Sequence, residues 1–447
     1  MNLIDKDKKY VWHPFTQMKD WMEEDIIVVD RAEGVWLYDI DGNKYMDGVS
    51  SLWVNVFGHR KKEIDDAILR QLEKMAHSTF LGLSHPAAIE LAEKLVRIIP
   101  SGLEKVFYSD NGSSAMEIAL KMAYQYWQQK EGGRFASRKK FIKFTGAYHG
   151  DTIGSVSLGG MDLFHKIYKP LLFDSFTAPY PYSYRFNKSG CDCAQYCLSE
   201  LESILKSNPD EIAAVVIEPE VQGADGMIMT PPGYMAGLQK LVREYGTLLI
   251  CDEVATGFGR TGEMFACDIE GITPDIMTVA KSVTGGYLPL AATLTTEEVF
   301  SAFLGDYAEK KTFFHGHTYT ANPLACAAAI ANLDIYENEN LLDNVKERSK
   351  EASTILKKFN QLEHVGDIRQ KGLMIGIELV KDKNTKEDYS WEDKTGIKVI
   401  KEARKHQVII RPLGNVIVLM PPMCISSEEL NHLIEATYES ILKVTQN

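Results

Sequence analysis

An α/β fold, with a mostly parallel central sheet and a smaller α+β region beside it, is what this sequence predicts. From residue 64 to about residue 330, short apolar runs alternate with segments of helical periodicity, the order that places helices on both faces of a parallel sheet. After about residue 334 the texture changes to charged helices and shorter apolar strands. The 447 residues, 45% of them hydrophobic, suffice for two or three domains with sizeable cores.

The elements follow in order. Ile64, Ile68, Leu72 and Met75 recur at helical spacing, as do Ile89, Leu91, Ala92, Leu95 and Val96 behind Pro86, and each set predicts an amphipathic helix. Compact apolar runs predict strands at Val106–Tyr108, Lys140–Phe144, Ala213–Ile217, Thr247–Ile250 and Ile276–Ala280, with a helix over Ala115–Trp127. The stretch Ala178–Gly190 carries Pro and Gly and reads as a surface loop, as does charged 381–394. A charged helix over 340–358, the alternating run Leu373–Val380, a basic helix, the runs Val408–Ile410 and Val416–Met420 and a terminal helix complete the chain.

Lys and Arg number 49 against 62 Asp and Glu, a net charge of −13. That balance disfavours non-specific binding to nucleic acid or to anionic lipid, although it leaves room for a small basic pocket. No apolar run approaches the roughly 18 residues of a membrane span, and the lysine-containing N-terminus lacks the apolar run of a secretory signal. The seven cysteines are scattered except for Cys191, Cys193 and Cys197. Free thiols in a reducing cytosol, and so a cytoplasmic protein, are expected.

Chemistry concentrates at three places. One strand ends in Asp252 and another in Lys281, at the spacing of one βαβ crossover, so both side chains are expected at the carboxyl edge of a parallel sheet, where such sheets bind ligands. Alone, the pair also reads as a plain ion pair. Ser109-Asp110-Asn111-Gly112-Ser113-Ser114 lies between a strand and a helix, where small residues and the helix dipole suit an anion and where Asp and Ser are also ordinary caps. Gly146-Ala147-Tyr148-His149-Gly150-Asp151 offers a tyrosine that could lie flat on a planar cofactor or simply belong to the core. Together these meet the needs of pyridoxal phosphate: a Schiff-base lysine, a carboxylate for the pyridinium nitrogen, a phosphate seat and an aromatic lid.

Asp252-Glu253-Val254-Ala255-Thr256-Gly257-Phe258-Gly259-Arg260-Thr261-Gly262 followed by Lys281-Ser282-Val283-Thr284-Gly285-Gly286 resembles the signature of the class-III (ω-type) pyridoxal-phosphate aminotransferases. The resemblance runs over nearly the whole chain and implies the fold-type I architecture, a large cofactor domain over 60–334 and a small domain built from 1–59 with 335–447. It implies Lys281 as the Schiff-base lysine, Asp252 at the pyridine nitrogen, Tyr148 on the ring, Gln222 near the phenolic oxygen, and Gly112 and Ser113 at the phosphate. Thr318 would reach the phosphate from the second subunit of a homodimer.

Trp12-His13-Pro14-Phe15-Thr16, Ser51-Leu52-Trp53, Tyr148-His149-Gly150-Asp151-Thr152, His315-Gly316-His317-Thr318 and Arg411-Pro412-Leu413-Gly414 narrow the resemblance. They are similar to the branch that aminates 8-amino-7-oxononanoate in biotin synthesis, with Phe15, Trp53, Gly316 and Arg411 at substrate positions and Arg411 on the oxo-acid carboxylate. Arg260 could contribute to the same pocket. Members using S-adenosylmethionine commonly carry tyrosines at the positions of Phe15 and Val418, so this pair looks more like members that use L-lysine as donor. A broader ω-aminotransferase of diamines or β-amino acids would share the cofactor motifs without needing Trp53 and Arg411.

Two cysteine and histidine patterns are set aside. Cys191, Cys193 and Cys197 lack a fourth zinc ligand nearby and read as free surface thiols. His315 and His317 belong by resemblance to a cofactor and substrate loop rather than to a metal. The cluster Arg138-Lys139-Lys140 is expected as a solvated strand entry.

Overall fold

The computed structural model describes residues 1–187 and 192–446. Its strands are β1 Val29–Glu33, β2 Trp36–Asp39, β3 Lys44–Asp47, β4 Leu103–Ser109, β5 Lys140–Phe144, β6 Phe176–Ala178, β7 Ile212–Ile217, β8 Val221–Gln222, β9 Ile228–Met229, β10 Leu248–Asp252, β11 Ile276–Val279, β12 Ala291–Thr296, β13 Val365–Lys371, β14 Met374–Leu379, β15 Val408–Ile409, β16 Arg411–Leu413 and β17 Val416–Leu419. Seven form the central sheet in the order β4-β12-β11-β10-β7-β5-β6. The pairs β10–β11, β10–β7, β7–β5 and β5–β6 are parallel, as expected for a mostly parallel α/β sheet. Strand β12, unforeseen in the sequence, runs antiparallel between β11 and β4. Residues 280–290 are too few for a crossover helix, so the chain can only turn back.

The uniform apolarity of β7 and β10 has a simple origin. Ala214, Val216, Leu248 and Ile250 pack under the helix Gly112–Gln129 with Met116, Ala119 and Trp127. Val215, Ile217, Leu249 and Cys251 face the other way, onto Leu201 and Leu205 of the helix Cys193–Ser207 and Leu238 and Val242 of the helix Tyr234–Glu244. Both faces are covered, so both strands are apolar throughout except for Asp252 at the carboxyl end of β10.

Two further sheets involve the ends of the chain. The meander β1-β2-β3 is extended by β15, which pairs parallel to β3 through Val408 with Met46 and Ile409 with Asp47. The antiparallel sheet β13-β14-β17-β16 carries the run expected to alternate. Ile375, Ile377 and Leu379 enter the main core, while Glu378 on the other face is equally buried. There Glu378 accepts hydrogen bonds from Arg369, Arg185 and Tyr182, and Arg369 Nη2 donates to the Gly226 carbonyl at 2.8 Å. Arg369 and the other donors hold the Glu378 carboxyl below its usual range against the opposing effect of burial, the largest single influence.

Three expectations need correction. Of the stretch Ala178–Gly190, residues 188–190 lie outside the described residues, and the rest is not simply a surface loop, since Tyr180 is buried and Tyr182 joins the Glu378 network. Arg138 is buried and donates to the Ile212 carbonyl at 2.9 Å, whereas Lys139 is exposed and Lys140 partly so, and this strand entry is solvated only in part. Cys193 and Cys197 are buried against the sheet rather than displayed on the surface, and Cys191 lies outside the described residues. Among the described residues no group of three or more His, Cys, Asp or Glu side chains is arranged to hold a metal ion, and no helix is long and apolar enough to cross a membrane.

Glu378→Ala removes the acceptor shared by two buried or half-buried guanidinium groups and should cost about 3 kcal/mol of stability. The urea unfolding midpoint measures it, and a midpoint equal to wild type would show that the network adds no net stability.

Candidate active site

The carboxyl ends of β5, β7, β10 and β11, with the turn after β4, converge on one cavity of about 600 Å³. Asp110, Gly112, Ser113, Tyr148, His149, Glu218, Asp252, Lys281, Trp53, Phe15 and Arg411 all line it. Parallel pairing sets Asp252 beside Thr278, three residues before Lys281, so the acid and the lysine reach the same edge of the sheet. They do not form an ion pair: no carboxylate oxygen among the described residues lies within 4.0 Å of Lys281 Nζ. Asp252 instead accepts from His149 Nδ1 at 2.7 Å, from the Val254 N–H at 3.0 Å and from Thr278 Oγ1 at 3.3 Å.

Electrostatics follow from burial. Lys281, whose φ of 44° lies in the left-handed region, is held below the ordinary lysine value by desolvation, with Asp252 and Glu218 pulling the other way. Its Nζ stands 5.1 Å from the centre of the Trp53 ring. For His149, burial favours the neutral ring, but the hydrogen bond and charge of Asp252 outweigh it and raise the pKa. Burial pushes Glu218 up to about 7, and it lowers Arg411, which has no ion-pair partner among the described residues.

An anion seat lies at the start of the helix Gly112–Gln129. Asn111 caps it by accepting from the Ser114 N–H at 2.9 Å, and Ser113 Oγ accepts from the Asp151 N–H at 2.8 Å. Neither glycine beside it has room for a side chain: a Cβ on Gly112 would stand 2.7 Å from Val254, and one on Gly150 would stand 1.7 Å from Ser113 Oγ. The Tyr148 hydroxyl donates to Asp151 at 2.8 Å. At the mouth, Phe15 and Tyr148 both meet the ring of Phe164, at 5.4 and 6.3 Å between centres.

Five residues singled out in the sequence lie elsewhere. Gln222 donates from Nε2 to the Thr145 carbonyl at 3.0 Å and is not among the lining residues. The guanidinium of Arg260 is wholly buried and donates to the carbonyls of Pro421 and Asn55, each at 2.6 Å, which corrects the expectation of a substrate contact. Val418 packs with Trp53, Met227 and Met374 behind the cavity wall. Gly316 and Thr318 occupy an exposed segment and do not line the cavity of their own chain. Conversely, His149 and Glu218 escaped sequence reasoning. A carboxylate directly after an all-apolar strand, as Glu218 is after β7, repeats the pattern of Asp252 and was the available signal.

The family model described as aminotransferase class-III matches residues 18–441. The adenosylmethionine-8-amino-7-oxononanoate aminotransferase of Geobacter sulfurreducens is 51% identical over 446 residues, covering 99% of this chain and 98% of that protein. The crystal structure of the enzyme of the same name from Methanocaldococcus jannaschii superposes with a TM-score of 0.94 at 47% identity, covering 99% of this chain and 98% of that one. The omega transaminase of Pseudomonas jessenii, solved in complex with PMP, gives 0.95 at 32% identity, covering 100% of this chain and 99% of that one. On a match that spans nearly all of its length, this chain belongs to the class-III aminotransferases.

Proposed function

We propose that this chain transfers an amino group to 8-amino-7-oxononanoate, giving 7,8-diaminononanoate for biotin synthesis, with pyridoxal 5′-phosphate as cofactor. The observation that carries the reading is the convergence of Lys281, Asp252, Tyr148 and a helix N-terminus on the cavity that Trp53 and Arg411 also line. Relatives about half identical over 82% or more of their own length, named for the same acceptor, support the substrate.

The residues fit the cofactor. The Gly112 and Ser113 backbone at the helix N-terminus, with no room for a Cβ at Gly112, suits a phosphate dianion. Asp252, buried yet hydrogen-bonded, suits a pyridinium nitrogen, Tyr148 suits the ring face, and Lys281 is the lysine that would hold the aldehyde carbon. When bound, pyridoxal phosphate supplies an electron sink for the electrons released as a proton leaves the amine-bearing carbon. Lys281 Nζ, for which burial favours the neutral amine, would be the group to take that proton and give it back. His149 keeps Asp252 oriented by donating to it from Nδ1. Arg411, a half-buried fork without a carboxylate partner among the described residues, suits the carboxylate of the oxo acid, and Trp53 and Leu413 offer apolar surface to its chain.

For the donor, the relatives' names favour S-adenosylmethionine. L-Lysine is the second reading, favoured by Phe15, which brings no hydroxyl to the mouth. The matching argument from Val418 weakens, because that side chain lies behind the wall. The chain functions as a homodimer in this proposal, which the exposed rings of Phe314 and Tyr319, flanking Gly316 and Thr318, support. The pairing of β3 with β15 likewise supports a small domain made of both chain ends, 1–59 and 335–447.

Purified enzyme supplied with 8-amino-7-oxononanoate and either donor should form 7,8-diaminononanoate, detected by mass spectrometry. Turnover of β-amino acids or simple diamines without any of this product would favour the broader ω-aminotransferase. Arg411→Ala should weaken the oxo acid by about 2 to 5 kcal/mol in kcat/KM and spare the donor half-reaction. Equal losses on both sides would remove Arg411 from the carboxylate. Asp252→Asn leaves burial of His149 opposed chiefly by Glu218, so the imidazole pKa should fall, a shift that NMR titration of histidine-labelled protein reads directly. An unmoved value would mean that Asp252 does not set it.

A further inference from the structure

We propose that Glu218 is a positioning residue of the reaction, a single carboxylate that fixes the separation of two aromatic walls of the cavity, Tyr148 and Trp53. The proposal rests on the reading that the cavity seats pyridoxal phosphate. Glu218 Oε1 accepts from the Tyr148 N–H at 3.1 Å, and Oε2 accepts from the Gly223 N–H at 3.0 Å. One N–H belongs to the turn after β5, the other to the turn between β8 and β9. The Gly223 backbone lies directly against Trp53, where a Cβ would stand 3.3 Å from ring atom Cζ3. A shift of either turn is therefore passed to a ring.

Both turns are otherwise tightly built, so the carboxylate joins two stiff bodies. A Cβ on Gly146 would fall 2.1 Å from Asp225 Oδ2, and the Gly223 carbonyl accepts from the N–H groups of Gly226 and Met227 at 3.2 and 3.0 Å. Beyond them, the Gly226 carbonyl is held by Arg369. Glu218 is 6% exposed and has no Lys or Arg ion-pair partner among the described residues. A carboxyl kept in such surroundings costs more than an apolar side chain of the same volume. The return for that cost is two backbone N–H groups satisfied by one rigid, two-pronged acceptor.

Glu218→Gln keeps the volume but offers one oxygen and one NH2 to two N–H donors. Glu218→Asp keeps the charge and shortens the reach. In both, the chain without cofactor should retain its far-ultraviolet circular dichroism. The dissociation constant for pyridoxal phosphate should rise about tenfold or more, the circular dichroism induced in the bound cofactor should diminish, and kcat should fall in both half-reactions with a smaller change in KM. If either folded variant keeps wild-type cofactor affinity and induced signal, or if losses only track the unfolded fraction, Glu218 is a packing residue and the proposal is overturned. A wild-type chain that fails to bind pyridoxal phosphate overturns the reading of the site and this proposal with it, an outcome distinct from a wild type that binds and variants that bind equally.

Discussion

The hydrogen bond between His149 Nδ1 and Asp252 Oδ2, 2.7 Å long and wholly inside the protein, is the interaction on which the site depends. A buried carboxylate would normally be neutralised by proton uptake or by direct pairing with the nearest cation. Were Asp252 to pair with Lys281, the lysine would be fully charged and both groups would be occupied with each other. His149 takes that place, which leaves Lys281 within the electrostatic reach of Asp252 but without an ion-pair partner among the described residues, and held below its ordinary pKa by burial. One imidazole thus separates an acid and a base that the sheet brings to the same edge.

The surrounding structure holds that arrangement from several directions. Parallel pairing of β10 with β11 fixes the height of Asp252 relative to Lys281. Tyr148 and His149 share one glycine-bounded turn, so the ring wall and the imidazole move together. On the far side, Arg369 grips the Gly226 carbonyl while bound to Glu378, which ties the turn beside Trp53 to the C-terminal sheet. The cavity groups suited to anions are local, namely a helix N-terminus, Lys281 and Arg411, so a net charge of −13 does not oppose the proposed phosphate and carboxylate binding.

Much of this was legible in the sequence because it depends on short-range pattern. Helical spacing marked Ile64–Met75 and Ile89–Val96, and the mostly apolar runs leading to Asp252 and Lys281 announced a parallel sheet edge. Other features depend on contacts that no local pattern encodes. His149 meets Asp252 and Glu218 meets Tyr148 across 103 and 70 residues. Strand β12 differs from its neighbours only in direction, which is set by a connection too short for a helix. Arg260 sits inside a recognisable motif, yet its guanidinium is spent on two backbone carbonyls. Gly316 and Thr318 also sit in a recognisable stretch, yet the segment that carries them is exposed and away from the cavity of their own chain.

The central claim is that Lys281 is the residue that holds the cofactor. Borohydride reduction of the holoenzyme, followed by proteolysis and mass spectrometry, tests it most directly. A single pyridoxyl adduct on the peptide containing Lys281 is expected. An adduct on a different lysine, or none after reduction of protein shown to carry pyridoxal phosphate, would contradict the account.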